Sequence, residues 1–339
     1  MDSTPSFFYP QHLNSGGKLS IMSYYESDSN DLSSVQIKGR SYRRVSEELS
    51  TSEIRDILRA DGLEDYAGFM TNGMVMQLGD GHAGRSAIMA IVNATPDSFF
   101  SDSRLSGHVP EKIIESGADI IDIGGESTRP GSREITGEIE IERLQDILPA
   151  LRSQFNGPIS LDTRHIRVVE KFSSLIDMVN DVSGLMDRDL ACTAFENGLK
   201  YVLMHINGEV NNMTARENYS DLPGEMAEFY FKNLRILMNM GMKPENIIID
   251  PGLGFSKNFE HDYYLVRNTN VFTLGFTRLV GHSRKRFLGA KTGSGIKDRL
   301  PETLAASLYL ERKGIEILRV HDPGENIRFL EQFRFLSQQ

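Results

Sequence analysis

The chain has 339 residues and a net charge of −10, with 39% hydrophobic and 25% charged residues, enough length for one large domain or two small ones around a full core. The acidic balance argues against a nucleic-acid binder, which carries a basic face, but a local Arg/Lys cluster can still hold an anionic small substrate. No run of about 18 apolar residues marks a membrane span, the N-terminus lacks the pattern of a signal or transit peptide, and the single Cys192 reads as a small core residue in a reducing cytoplasm.

Residues 1–35 are rich in Ser, Asn and Asp and show no periodicity, which predicts a disordered tail that fold and activity can lose. The stretch 36–86 reads as an N-terminal extension. Ser50-Thr51-Ser52-Glu53 has capping-box spacing ahead of Ile54, Ile57 and Leu58, with Gly62 as a stop, so a short helix is expected there. Met74–Leu78, then Gly79-Asp80-Gly81, reads as a hairpin that leads into the main domain.

From residue 87 to 339 short apolar runs alternate with helical patterns. The runs are Ile88–Val92, Ile120–Ile123, Ile159–Leu161, Met178–Val179, Tyr201–Met204, Ile247–Ile249, Arg278–Val280 and Ile315–Val320. Helical patterns with Pro at the start or Gly at the stop lie between them, as from Pro223 to Gly241 and from Pro301 to Gly314. Such alternation predicts an α/β fold, a (β/α)8 barrel. A doubly wound open sheet is the structural alternative, but it would gather its ligand loops at one switch point.

Each run empties into residues able to do chemistry, and on a barrel those ends converge on one cavity. Asp162, Asn180 and Asp250, with the ammonium of Lys285, suit a flat heterocycle edged by N–H donors and ring acceptors. Read singly, each acid is also a candidate helix N-cap or ion-pair partner. Thr128, Arg129, Arg319 and His321, with Asn93 nearby, suit a phosphate or pyrophosphate, Asn93 offering an oxygen to Mg²⁺. Surface ion pairing and a turn are the bland alternatives for these. The loop Gly124–Ser132 reads as an anion cradle whose glycines also allow closure over substrate, a Gly-rich strand-to-helix connector being the bland alternative. No CxxC, HExxH or EF-hand spacing is present, and no nucleophile with a base stands at a strand end. A heterocycle and a pyrophosphate without an enzyme nucleophile point to displacement of pyrophosphate by a second substrate.

Asn93-Ala94-Thr95-Pro96-Asp97-Ser98-Phe99, Gly124 through Gly131, Asn180-Asp181-Val182-Ser183-Gly184, Asp250-Pro251-Gly252-Leu253-Gly254-Phe255, Ser283-Arg284-Lys285 and Arg319-Val320-His321-Asp322 together resemble the dihydropteroate synthases, in order, from about residue 87 to 325. The resemblance implies Mg²⁺-dependent condensation of 6-hydroxymethyl-7,8-dihydropterin pyrophosphate with 4-aminobenzoate, through ionisation of the C–O bond before attack by the arylamine. It places Asp162, Asn180, Asp250 and Lys285 on the pterin, and Asn93, Arg129, Arg319 and His321 at pyrophosphate and Mg²⁺. Thr128, Pro130, Phe255 and Ser283 fall in the aminobenzoate pocket, and Asp162, Lys285, Arg319 and His321 are the implied catalytic set. A homodimer through late helices is also implied; Phe329, Leu330, Phe333 and Phe335 are compatible with such contacts and equally with a last helix that covers the barrel. The chain departs from the pattern at Ala94, at Ser256 before Lys257, at Asn207, and in a short stretch from Asp102 to Gly117. Two other readings stay open: a pterin-binding methyltransferase of the same fold, which has no need of the Thr128–Arg129 loop or the Arg319/His321 pair, and a catalytically silent paralogue.

Overall fold

The computed structural model describes residues 4–27, 34–79, 85–94, 111–126, 134–208 and 218–337. Eight parallel strands close a barrel: β5 (Ala87–Asn93), β6 (Ile120–Gly124), β7 (Ile159–Asp162), β8 (Met178–Asp181), β9 (Lys200–Met204), β10 (Ile247–Asp250), β11 (Thr277–Gly281) and β12 (Ile317–Val320). Each pairs with the next in the chain, and β12 returns to pair with β5. All eight strands therefore form where the apolar runs lie, with helices on the outside between them.

Side chains along a strand alternate in direction, and this period explains how the barrel makes its mouth. Met89, Ile120, Met178, Val202, Ile248, Leu279 and Ile317 form a buried cluster of their own, filling the barrel as bulky apolar layers do. Two residues further along four of these strands, on the same face, come Asp122, Asn180, Asp250 and Arg319. Asp162 follows Ser160 with the same offset. Apolar layers thus end in a polar layer at the C-terminal rim. The neighbours in between, such as Ile121, Leu161, Val179, Ile249 and Leu318, join the larger core against the surrounding helices.

The N-terminal region differs from the reading above. Residues 7–26 are not a disordered tail; they form β1 (Phe7–Leu13) and β2 (Leu19–Glu26), joined to β3 (Ser34–Ile37) and β4 (Arg40–Leu49) in an antiparallel sheet of order β1-β2-β4-β3. The Ser-rich composition hid a core: Phe7, Phe8, Tyr9, Leu19, Ile21 and Tyr24 are all buried. Asn14 closes the β1–β2 turn by accepting from Lys18 N at 2.9 Å. Helix α1 (Thr51–Ala60) has the expected capping box, Ser50 Oγ accepting from Glu53 N while Glu53 accepts from Ser50 N at 2.7 Å. The hairpin expected at Met74–Leu78 is instead the end of helix α2 (Ala67–Leu78). Its buried residues Ala67, Met70, Thr71 and Met74 share a helical face. Gly73 and Gly275 pack backbone to backbone: a Cβ at Gly73 would lie 2.5 Å from the Cα of Gly275, so tertiary packing overrides the low helix propensity of Gly73.

Candidate active site

The C-terminal rim divides into two halves. In the first, Asp122 and Asp162 flank Arg319. Arg319 Nε donates to Asp122 Oδ2 at 2.6 Å and Nη2 to Asp162 Oδ2 at 2.7 Å, while Asn180 Nδ2 donates to the same Asp122 oxygen at 3.2 Å. Asp162 lies beside Asn180 in the β7–β8 register, which sets the two acceptors side by side. Burial pushes the Asp162 carboxyl up to about 7, against the pull of Arg319 and with Asp122 adding to the rise. One guanidinium shared between two carboxylates leaves an excess of negative charge, and one proton relieves it. Asp122 Oδ1 is buried and has no hydrogen-bond partner among the described residues, so it is an acceptor open to an N–H of a ligand.

In the second half, Asp250 Oδ1 accepts from Gly252 N at 2.7 Å. Burial raises the Asp250 carboxyl, and Lys285 is the first influence that opposes it. The Lys285 ammonium donates to Leu253 O and stands 4.7 Å from the centre of the Phe255 ring, a cation–π distance. Desolvation pulls Lys285 down to about 8 despite Asp250 and Asp262. Beneath it Lys257, 1% exposed, donates to the carbonyls of His205, Gly252 and Phe255 at 3.1–3.2 Å and lies 2.9 Å from His205 Nδ1. No carboxylate is within ion-pair distance of this ammonium among the described residues. Burial accordingly lowers Lys257 to about 7 and holds His205 well below its usual value, so the imidazole is neutral and can accept.

Backbone strain shapes the loop between them. Gly252 and Gly254 have φ of 63° and 75°, and a Cβ at Gly252 would lie 2.1 Å from the His205 carbonyl. Ser256, where the resemblance expects Gly, also has a left-handed φ of 50°, a conformation costly to a residue with a Cβ. That is the physical meaning of the departure noted above: the backbone still asks for what glycine gives freely.

Of the other site residues read from the sequence, Asn93 is at the end of β5, register-paired with Gly124. Ser283 accepts from the backbone N–H of His321 at 3.2 Å and lies 3.1 Å from its Nδ1, so these two form one unit. Thr128, Arg129 and Pro130 lie outside the described residues. The two described glycines of the β6 loop, Gly124 and Gly125, are required by packing at its stem. A Cβ at Gly124 would lie 2.7 Å from the Asp162 carbonyl, and one at Gly125 2.8 Å from Glu140 Cγ. Gly125 N instead donates to Glu140 Oε1 at 3.2 Å and Gly125 O accepts from Arg143 at 2.7 Å, while Glu126 is gripped by Arg164 at 2.8 and 3.0 Å.

Comparison with known proteins agrees with this architecture. The pterin binding enzyme family matches residues 89–321. Dihydropteroate synthase of Synechocystis sp. is 38% identical over 247 residues, covering 70% of this chain and 86% of that protein. The Escherichia coli K12 protein of the same name is 33% identical over 248 residues, covering 71% and 88%. This chain belongs to the dihydropteroate synthase family. It is an enzyme, a transferase. Among solved structures, dihydropteroate synthase from Clostridium difficile, in the presence of pteroic acid, matches with a TM-score of 0.68 at 33% identity, over 76% of this chain and 98% of that one. The Thermus thermophilus enzyme in complex with 4-aminobenzoate matches with 0.65 at 34%, over 75% and 95%.

Within the family's matched span, Asp122 and Lys257 are among the site residues that carry no role in the sequence alone. Asp122 was absorbed into an apolar run, although a carboxylate between isoleucines on a buried strand was signal enough. Lys257 enters the sequence pattern only as the residue after Ser256, because its contacts with His205 and three carbonyls join segments distant in the chain. No helix among the described residues is long and apolar enough to cross a membrane.

Proposed function

We propose that this chain condenses 6-hydroxymethyl-7,8-dihydropterin pyrophosphate with 4-aminobenzoate, giving 7,8-dihydropteroate and pyrophosphate. The observation that carries the reading is the juxtaposition of Asp162, Asn180 and Asp250 at three strand ends with Lys285 on one side and Arg319 on the other. An amino-pyrimidine edge offers paired N–H donors to such carboxylates, and an amide both gives and takes. The C–O bond to pyrophosphate breaks first, the electron pair leaving with the oxygen. Asp122 and Asp162 supply negative charge to the pterin methylene cation as it forms. The arylamine nitrogen then attacks that carbon and gives up a proton.

Arg319 engages its Nε and Nη2 with Asp122 and Asp162, and Nη1 has no partner among the described residues. It is thereby held in one orientation with donors to spare for the departing anion, together with Arg129 and the Ser283–His321 unit. Phe255, Thr128, Pro130 and Ser283 border the arylamine.

Mg²⁺ fits the donor set in one manner. No group of three or more His, Cys, Asp or Glu that could hold a metal is present among the described residues, whereas the half-buried amide oxygen of Asn93 is a single hard ligand. Asn93 would hold a cation that arrives with the pyrophosphate oxygens and keeps its waters. Bound there, Mg²⁺ would neutralise charge that grows on the leaving group. The chain acts as a homodimer through the last helix, where Phe329 and Phe335 are exposed; Leu330, by contrast, is fully buried in the chain's own core and is not a contact.

Incubation with the pterin pyrophosphate, labelled 4-aminobenzoate and Mg²⁺ tests the reading. Labelled dihydropteroate that depends on all three is expected. Absence of product at any concentration, with pterin binding intact, would favour the silent paralogue; methyl transfer from a methyl-tetrahydropterin would favour the methyltransferase.

A further inference from the structure

The sheet β1–β4 lies outside the span that the family matches, residues 89–321, yet it is welded to one barrel helix, Leu222–Asn239. At the start of that helix the buried Tyr24 hydroxyl donates to Asp221 Oδ2 at 2.6 Å, with Arg44 3.5 Å from the same oxygen. Gly224 leaves no room between the layers, since a Cβ there would lie 2.8 Å from both Tyr24 and Ile37. Ser220 donates to the Gln36 carbonyl, and Phe8 packs edge-on to Phe231 at 5.0 Å.

The other face of the same helix holds the lysine half of the mouth. Tyr230 donates its hydroxyl to the Asp250 carbonyl at 2.8 Å, and His205 N donates to that same oxygen at 2.8 Å. Phe229 packs edge-on to the His205 ring at 4.8 Å. His205 in turn holds Lys257, whose ammonium ties down the carbonyls of Gly252 and Phe255. The links through Tyr230, His205 and the Gly252 carbonyl are buried, directional contacts. From Tyr24 to the loop that carries Asp250 and Phe255 there is no gap in the chain of packed groups.

We infer that the N-terminal sheet is a brace for this half of the mouth: the Tyr24–Asp221 contact sets the helix Leu222–Asn239, and through Tyr230 and Phe229 it positions Asp250, His205 and the Gly252–Phe255 loop for the pterin. Tyr24 and Asp221 are positioning residues, because they touch no reacting atom. The choice of ligand rests on the function proposed above; the mechanical coupling does not.

Two measurements on the full chain test the brace. Calorimetric titration with pteroic acid should show a Kd weakened on the order of 2- to 30-fold in Tyr24→Phe and in Asp221→Ala, the range for residues that couple to a site without touching it. Asp221→Asn keeps an acceptor for the Tyr24 hydroxyl and should recover most of the affinity. Tyr25→Phe is the control, since it deletes an equally short bond inside the sheet, to Glu47 at 2.6 Å, without contact to the helix; it should bind as the wild type does. Hydrogen exchange is the second measurement. Amides of residues 252–257 and of His205 should exchange faster in Tyr24→Phe, while those of Asp122 and Asp162 should not change. Wild-type affinity and exchange in Tyr24→Phe, or equal losses in Tyr25→Phe, would overturn the brace. A wild-type chain that ignores pteroic acid would defeat the proposed function instead, and the exchange result would still decide the brace.

Discussion

Arg319, on β12, and Lys257, in the loop after β10, are two opposite solutions to one problem, a cation taken out of water. Arg319 is clasped by the carboxylates of Asp122 and Asp162 at 2.6 and 2.7 Å. Lys257 is surrounded by carbonyls and a neutral imidazole. The guanidinium stays charged at every accessible pH, so in that half the proton equilibrium moves to Asp162, which burial lifts to about 7. The ammonium has no direct counterion among the described residues, so in the other half the lysine itself gives way, falling to about 7. Partner chemistry decides which member of a buried set titrates.

The comparison is broken most severely by Arg319→Ala, which strands two carboxylates at once. Removing one partner of a buried pair costs about 3–5 kcal/mol, and chemical denaturation should register a loss of that order. Product inhibition by pyrophosphate should weaken in the same variant; unchanged stability and inhibition would mean that Arg319 is neither keystone nor clamp. Asp162→Asn is gentler on the fold, because it removes charge from a group already poised to protonate. Turnover should fall by about 10²–10³-fold if its charge stabilises the cation, far more than pterin affinity falls; equal losses in kcat and binding would reduce Asp162 to a binding group.

A smaller effect sharpens the contrast through pH. Asp162 has a native pKa of about 7 against a reference of 3.8, so between these values the native state holds a proton that the unfolded chain has lost. Its contribution to stability therefore falls as pH rises from about 4 to 7. Lys257 and Lys285 sit at about 7 and about 8 against 10.5, so the unfolded chain binds more protons above them and their contribution rises from about pH 7 towards 10.5. The contributions of these groups therefore have opposite slopes on the two sides of neutrality. Lys257→Met should flatten the alkaline rise in Tm by about half and leave the acidic fall intact; an unchanged alkaline rise would show that Lys257 does not titrate there.

Much of this was legible in the residues. Short, mostly apolar runs alternating with helical patterns located all eight barrel strands, and the polar residues at their ends located the mouth, because the parallel strands of a barrel all end at one rim. The capping box of α1 was legible because it is local. Other features were not. Phe7, Phe8 and Tyr24 looked like punctuation in a Ser-rich tail, since the surface that buries them belongs to a helix some two hundred positions away. Met74–Leu78 looked like a strand, because five residues cannot distinguish alternation from the last turns of a helix.

By itself, then, the amino-acid sequence determined the barrel, the direction of its open end and the acids and bases gathered there, all consequences of the order in which apolar runs, polar ends and helical patterns follow one another. Tertiary structure alone decided which charges pair. It assigned Arg319 to two carboxylates, left Lys257 to carbonyls, and seated the N-terminal sheet on the helix that holds Asp250. Such pairings depend on distances between residues far apart in the chain, and on burial, which sets how strongly each charge is felt.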